Sequence, residues 1–191
     1  MNTKLNEILL TLKHQKIKFR KNQILFRHDE RTNDIYLILK GRIDIIMTSL
    51  NGEEEIISSL NQFDIFANAL VFASNPSFLG DVVAKEDGEL IVVSKNDIIK
   101  KIKEDEMFLS LYIQELSSKT MELNIRSKLL GHKNIRDRII YFLQINKGSI
   151  NMTINDLSKI LVLPRPSVSR ELIKMSNEDI IIKKGRLIVL K

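Results

Sequence analysis

Along the first half of the chain, apolar residues come in short runs separated by polar turns, and their period is that of strands. Ile24-Leu25-Phe26, Ile35 to Leu39, Ile43 to Met47, Glu55 to Leu60 and Leu90 to Val93 are rich in β-branched or large apolar side chains. Lys40-Gly41-Arg42 and Asn51-Gly52 punctuate them, the second with the composition of a tight hairpin. The stretch from Ile17 to about Val93 therefore predicts an antiparallel barrel or sandwich. Beyond it the period lengthens. Ser94, with Asp97 three residues later, predicts the cap of a helix carrying Ile98, Ile99 and Ile102. A longer helix is expected from Glu106 to Leu130, where Leu109, Ile113, Leu116, Thr120, Leu123, Ser127 and Leu130 alternate by four and three, the spacing of a two-helix seam. That stripe reads either as a subunit seam or as the face that packs on the chain's own barrel. Thr120 and Ser127 weaken it as an apolar seam and suit a ligand contact or a close helix approach. His132-Lys133-Asn134 reads as a hinge, and Asn134 with Asp137 opens another helix whose Ile135, Ile139, Phe142 and Leu143 supply a second core.

The last third carries the candidate chemistry. Thr153 and Asp156 form a capping-box-like start, and Leu157, Ile160 and Leu161 give the apolar stripe of a short helix. Val162-Leu163-Pro164 breaks it, because the residue before a proline is pushed out of the helical region. Pro166 suits a first helical turn, so a second helix is expected from Arg165, with Val168, Leu172 and Met175 buried. Arg165, Ser167, Ser169, Arg170 and Lys174 then share the outward face and its flanks. Guanidinium forks pair with guanine O6 and N7, and serine hydroxyls contact base edges or phosphates. Ile180 to Ile182, the basic turn Lys183-Lys184-Gly185-Arg186 and Leu187 to Leu190 read as a two-stranded wing that lies on phosphates. Helix, turn, helix and wing in that order suit the DNA major groove; the bland reading is a helical hairpin with a solvated charged face.

Charge favours the first reading. Of 191 residues with a net charge of +6, His132 to Lys191 hold 12 Lys and Arg against 5 Asp and Glu, a net of +7, so the whole excess is C-terminal. This is where phosphate neutralisation would be needed, and nucleic acid is favoured over a membrane surface. The chain has no cysteine, which removes disulfides, thiolate catalysis and cysteine-ligated metals. Its three histidines, His14, His28 and His132, are dispersed, so neither a haem ligand nor the clustered ligands of a cupin-like metalloenzyme is expected. No catalytic residue, metal or cofactor is assigned. Near the start, Ile8-Leu9-Leu10 and Leu12 are bounded by Glu7 and Lys13, too short a run for a targeting segment. No membrane span is expected, and a cytoplasmic protein is the default.

Together the strand and turn Ile35-Tyr36-Leu37-Ile38-Leu39-Lys40-Gly41-Arg42-Ile43, the Gly52-Glu53 hairpin, Asp64-Ile65-Phe66 and Arg165-Pro166-Ser167-Val168-Ser169-Arg170-Glu171-Leu172 give the chain a family resemblance. It resembles, over nearly every residue, the cyclic-AMP receptor protein and fumarate-nitrate regulator (Crp/Fnr) family. The resemblance implies an α+β chain in three parts. These are a cyclic-nucleotide-binding-type antiparallel β-barrel that senses an effector over residues 1–103, a dimerisation helix over 104–131 and a winged helix-turn-helix over 132–191. It implies a non-enzymatic transcription regulator, a homodimer on a palindromic site in double-stranded DNA, meeting RNA polymerase if it activates. Arg165 and Arg170 match base-contacting positions of the family, and Ser169 matches the serine of the fumarate-nitrate type; Ser167 assists, while Thr153, Lys183, Lys184 and Arg186 position the DNA backbone. Pro166 stands where a base-reading Glu is usual, so that step is less strictly specified or is read through the thymine methyl. Val162 replaces a common turn glycine.

Departures in the barrel bear on the effector. Nucleotide-binding relatives carry a Gly-Glu pair and, about ten residues on, an Arg-Ser or Arg-Thr pair that hold ribose and cyclic phosphate; the matching positions here are Ala67-Asn68 and Phe78-Leu79. Without the Arg, a buried phosphate would forfeit a charge-assisted contact, so cyclic AMP is not expected. Asn68, Phe78, Leu79 and Thr120 are the candidate pocket for an unidentified small-molecule effector, the alternative being that Phe78 and Leu79 simply fill the barrel. The competing functions are a constitutive DNA binder with a ligand-free barrel and a regulatory subunit that does not bind DNA.

Overall fold

The computed structural model describes residues 3–49 and 51–191; Met1, Asn2 and Leu50, which fall within the expected 1–103 domain, lie outside the described residues. The chain divides into two compact units, Met1–Ser117 and Ser118–Lys191.

The first unit runs α1 (Thr3–Thr11), β1 (Gln15–Phe19), β2 (Ile24–Phe26), β3 (Asp34–Lys40), β4 (Ile43–Thr48), β5 (Glu54–Leu60), β6 (Ile65–Phe66), a short 3-10 turn (Leu70–Phe72), β7 (Asp81–Ala84), β8 (Gly88–Ser94), α2 (Lys95–Glu104) and the start of α3 (Glu106–Gly131). Its strands pair antiparallel in two four-stranded sheets, ordered β1-β8-β3-β6 and β2-β7-β4-β5, with no strand shared. Of the two architectures that the strand pattern left open, this pairing is the sandwich.

The run Ile35 to Leu39 reads as unbroken apolar because β3 is covered on both faces. Tyr36 and Ile38 join Phe19, Ile43, Phe66, Phe78, Val82 and Leu90 in a core supplied by both sheets. Ile35 and Leu37, pointing the other way, pack with Ile91 and Val93 under α1, α2 and the first turns of α3 through Leu5, Leu9, Ile98, Phe108 and Tyr112. Gly41 makes the β3–β4 turn at φ +92°, where a Cβ would stand 2.9 Å from the Asp87 carbonyl oxygen.

Among the described residues of this unit, sequence periodicity found five of the eight strands at nearly their observed bounds, and missed β6, β7 and most of β1. It also missed α1. Leu5 and Leu9, one helical turn apart, are fully buried, so Ile8, Leu9 and Leu10 belong to an amphipathic helix.

The second unit takes the C-terminal part of α3, then α4 (Ile135–Ile145), β9 (Ser149–Asn151), α5 (Ile154–Leu161), α6 (Arg165–Asn177), β10 (Ile181–Lys184) and β11 (Leu187–Leu190). Leu129, Ile139, Phe142, Leu143, Leu157, Leu161, Val168, Leu172 and Met175 share one core with Ile150, Ile181 and Ile188 from the sheet. That sheet has three strands, β10-β11-β9, which corrects the expected two-stranded wing. The added strand escaped notice because it is three residues long with a single buried side chain. The expected side-chain caps all form: Ser94, Asn134 and Thr153 accept from the amides of Asp97, Asp137 and Asp156 at 3.1, 2.8 and 3.1 Å. Among the described residues no helix is long and apolar enough to cross a membrane.

Candidate nucleic-acid interface

α5 and α6 are joined by three residues whose backbone does what the missing glycine would do. Val162 sits at φ +54°, ψ +52°, the left-handed region, and its N–H and that of Leu163 close on the Lys159 and Ser158 carbonyls. A β-branched residue there is strained by about 1–2 kcal/mol. Val162→Gly is therefore expected to raise the stability of the α5–α6 region by about 1 kcal/mol, after allowing for glycine's greater unfolded-state freedom. Native-state hydrogen exchange of the α5 and α6 amides checks this; unchanged or lower protection would mean the turn holds no strain.

Pro164 precedes the first turn of α6, and Pro166 occupies that turn, where its absent N–H leaves no bond unmade. Val168, Leu172 and Met175 are fully buried, and Arg165, Arg170 and Lys174 are exposed, with Ser167 and Ser169 half-buried on the flanks. The Arg170 guanidinium lies back along the helix, its Nε donating to the Pro166 carbonyl at 3.3 Å.

Glu171 of α6 and Glu178 at its C-cap are both paired with one side chain. Arg136 on α4 donates from Nε to Glu171 at 2.7 Å and from Nη1 and Nη2 to the two oxygens of Glu178 at 2.5 and 3.1 Å. This fork braces α6 against α4 and leaves the outward face of the helix positive. Its hydrogen bond holds the Glu178 carboxyl below the ordinary glutamate value. A carboxyl depressed in the folded state makes the unfolded state bind more protons, so its stabilising effect is full above the unfolded pKa and is lost as pH falls through the folded one. Glu178→Gln is expected to flatten the acid limb of C-terminal unfolding below the ordinary glutamate pKa of about 4.3, and an unchanged limb would show the fork inert.

Lys184 and Arg186 are exposed at the β10–β11 turn, and Lys183 is half-buried, its Nζ donating to the Gly185 carbonyl at 3.1 Å. The Thr153 hydroxyl donates to the Asp156 carboxylate at 2.6 Å, so its proton is engaged within the helix start.

In the first unit Asn68 is 4% exposed; its main-chain oxygen accepts from the Tyr112 hydroxyl at 2.8 Å, and its side-chain nitrogen has no hydrogen-bond partner in the structure. Phe78 is buried in a ring cluster that joins the two sheets: Phe26–Tyr36, Phe26–Phe78 and Tyr36–Phe66 have centroids 4.7, 4.8 and 4.8 Å apart. Burial pushes the Tyr36 hydroxyl up to about 12, and it meets the Thr32 hydroxyl at 2.9 Å. Leu79 is 70% exposed and so stands apart from Asn68 and Phe78, while Thr120 is an exposed residue of α3 in the second unit.

Along α3, the residues that reach the chain's own cores are Phe108, Leu111, Tyr112 and Leu116 at one end and Ile125 and Leu129 at the other. The seven-residue stripe meets those positions only at Leu116. Ile113, Thr120, Leu123, Ser127 and Leu130 are exposed, Leu109 is half-buried, and Leu116 alone of the stripe packs on the core beneath α1. The helix thus carries apolar residues on two faces, and one of them is uncovered.

Residues 16–105 match the cyclic nucleotide-binding domain. The chain is 26% identical to the anaerobic regulatory protein of Bacillus subtilis over 92% of its own length and 80% of that protein's. It is 21% identical to the cyclic AMP receptor protein of Thermus thermophilus over 82% and 74%. The catabolite activator protein of T. thermophilus shares its fold at a TM-score of 0.57, with 18% identity, 99% of this chain and 90% of that one covered. FixK2 of Bradyrhizobium japonicum does so at 0.56, with 21% identity and 94% and 93% covered. In sequence and in fold the chain is thus similar to regulators of the Crp/Fnr type.

Two of the departures expected from the sequence have a visible physical setting. Ala67 has a left-handed backbone at φ +59°. Phe78 contributes its ring to the core. One exposed apolar side chain of α6 was not singled out from the sequence: Ile173, three residues after Arg170. Helical phase could have found it, since it lies nearly opposite the buried stripe.

Proposed function

We propose that this chain is a sequence-specific regulator of transcription that binds double-stranded DNA as a homodimer, placing α6 of each protomer in one half of a palindromic site. The observation that carries the reading is the α6 surface: Arg165, Arg170 and Lys174 are exposed while Arg136 ties back Glu171 and Glu178. Guanidinium groups on a braced helix suit guanine edges, and the basic wing turn suits phosphates. The uncovered stripe of α3 supports two-fold assembly through Ile113, Leu123 and Leu130. Such a regulator works where the chromosome is, in the cytoplasm, without catalysis, and an activating one would also touch RNA polymerase.

Selection of bound duplexes from a random pool tests this. The expected product is an inverted repeat with half-site centres about 10 bp apart or a multiple of that. A pool that emerges unenriched would remove the reading.

For control, we propose an effector other than cyclic AMP, acting through α3 and the His132 hinge on the two reading heads, which requires different affinity for two states. The ring cluster around Phe78 favours a second reading, a constitutive binder whose sandwich takes no ligand. Titrating cell metabolites against DNA affinity separates them, a linked change marking the first and none the second.

A further inference from the structure

Resting on the DNA-reading role of α6, we infer that Ile173 is a specificity-determining residue that reads a thymine C5-methyl group in the base step beside the one contacted by Arg170. Pro166, Arg170 and Ile173 follow one another at four and three residues, which puts them on one helical stripe. Its opposite face is Val168, Leu172 and Met175, all fully buried, whereas Ile173 is 57% exposed. The core does not use this side chain. It is the large apolar residue of a helix face otherwise made of cations, hydroxyls and a proline, and the Arg170 guanidinium, drawn back to the Pro166 carbonyl at 3.3 Å, leaves it unobstructed.

A branched aliphatic side chain has neither donor nor acceptor, so it adds nothing to phosphate binding and cannot read guanine, cytosine or adenine by hydrogen bonding. In the major groove thymine alone presents a methyl group. Contact between that methyl and the Ile173 side chain takes both out of water, and one buried methyl at about 0.8 kcal/mol corresponds to a factor of about four in affinity. Two protomers on a palindrome make the contact twice. The half-site is therefore a guanine read by Arg170 with a thymine set beside it by Ile173.

The test uses the full chain and the duplex it selects best from a random pool. Each dT of the half-site is replaced in turn by deoxyuridine, which keeps O4 and pairing but lacks the methyl, and affinity is read by fluorescence anisotropy at fixed salt. The wild-type protein should lose about fourfold at one position and about 15-fold when both half-sites are changed. Ile173→Ala, with Pro166→Ala as the control, should bind the dT duplex more weakly, bind dT and deoxyuridine duplexes equally, and keep the wild-type salt slope, because no phosphate contact is lost. A wild-type protein indifferent to deoxyuridine everywhere in an enriched site, or an Ile173→Ala protein that still discriminates, would overturn the assignment while leaving DNA reading by α6 intact. A pool that yields no enriched duplex would defeat both.

Discussion

Leu123→Glu is expected to turn the protein into a monomer and to weaken its binding to a full palindrome by about 10²- to 10⁴-fold, the range over which linked sites exceed single ones. Leu123 is 65% exposed in the single chain and belongs to neither core cluster, so the change removes no intramolecular packing. In the proposed two-fold seam the same side chain would meet its partner's stripe. Two carboxylates brought together there, in surroundings supplied by Ile113 and Leu130, repel each other and lose their water. Sedimentation velocity would show the change of mass, and hydrogen exchange would show both units folded. A variant that stays dimeric would move the subunit contact elsewhere, and a monomeric variant with undiminished affinity would mean the palindrome is not held by two linked heads.

Arg170→Ala should flatten the protein's choice among sequences. Its guanidinium is exposed near the middle of the outward face of α6, and a bidentate contact with guanine is worth about 1–3 kcal/mol, roughly 5- to 150-fold at the cognate site. Binding to random duplex should fall much less, because backbone neutralisation by Lys184, Arg186 and the other cations of the unit persists. The decisive measurement is the ratio of cognate to random affinity. If both fall together, Arg170 is a phosphate contact and another residue reads the base.

The C-terminal half of this protein was largely legible from its residues because each boundary there is marked chemically. Thr153 with Asp156 and Asn134 with Asp137 cap helices, Pro164 ends the turn, and Gly185 makes the wing turn at φ +58°. The sandwich was legible where strands are long or covered on both faces, as β3 is, and illegible where they are short. β6 has two residues, and β7 alternates over four with a polar start, patterns that local composition does not separate from loop. The cationic face of α6 was legible in Arg165, Arg170 and Lys174. Ile173 was passed over because an isolated isoleucine is ordinarily assigned to a core, and only exposure reverses that. The Arg136 fork, spanning 35 and 42 residues to its partners, has no local signature at all.

The stacking of Phe26, Tyr36, Phe66 and Phe78 sets a kinetic condition on any sensing by the sandwich. A molecule seeking the middle of this unit must first have a ring rotate out of contact with its neighbours, so arrival would saturate with concentration at the rate of that rearrangement and slow sharply on cooling. Rapid, concentration-proportional responses would then have to begin at the rim.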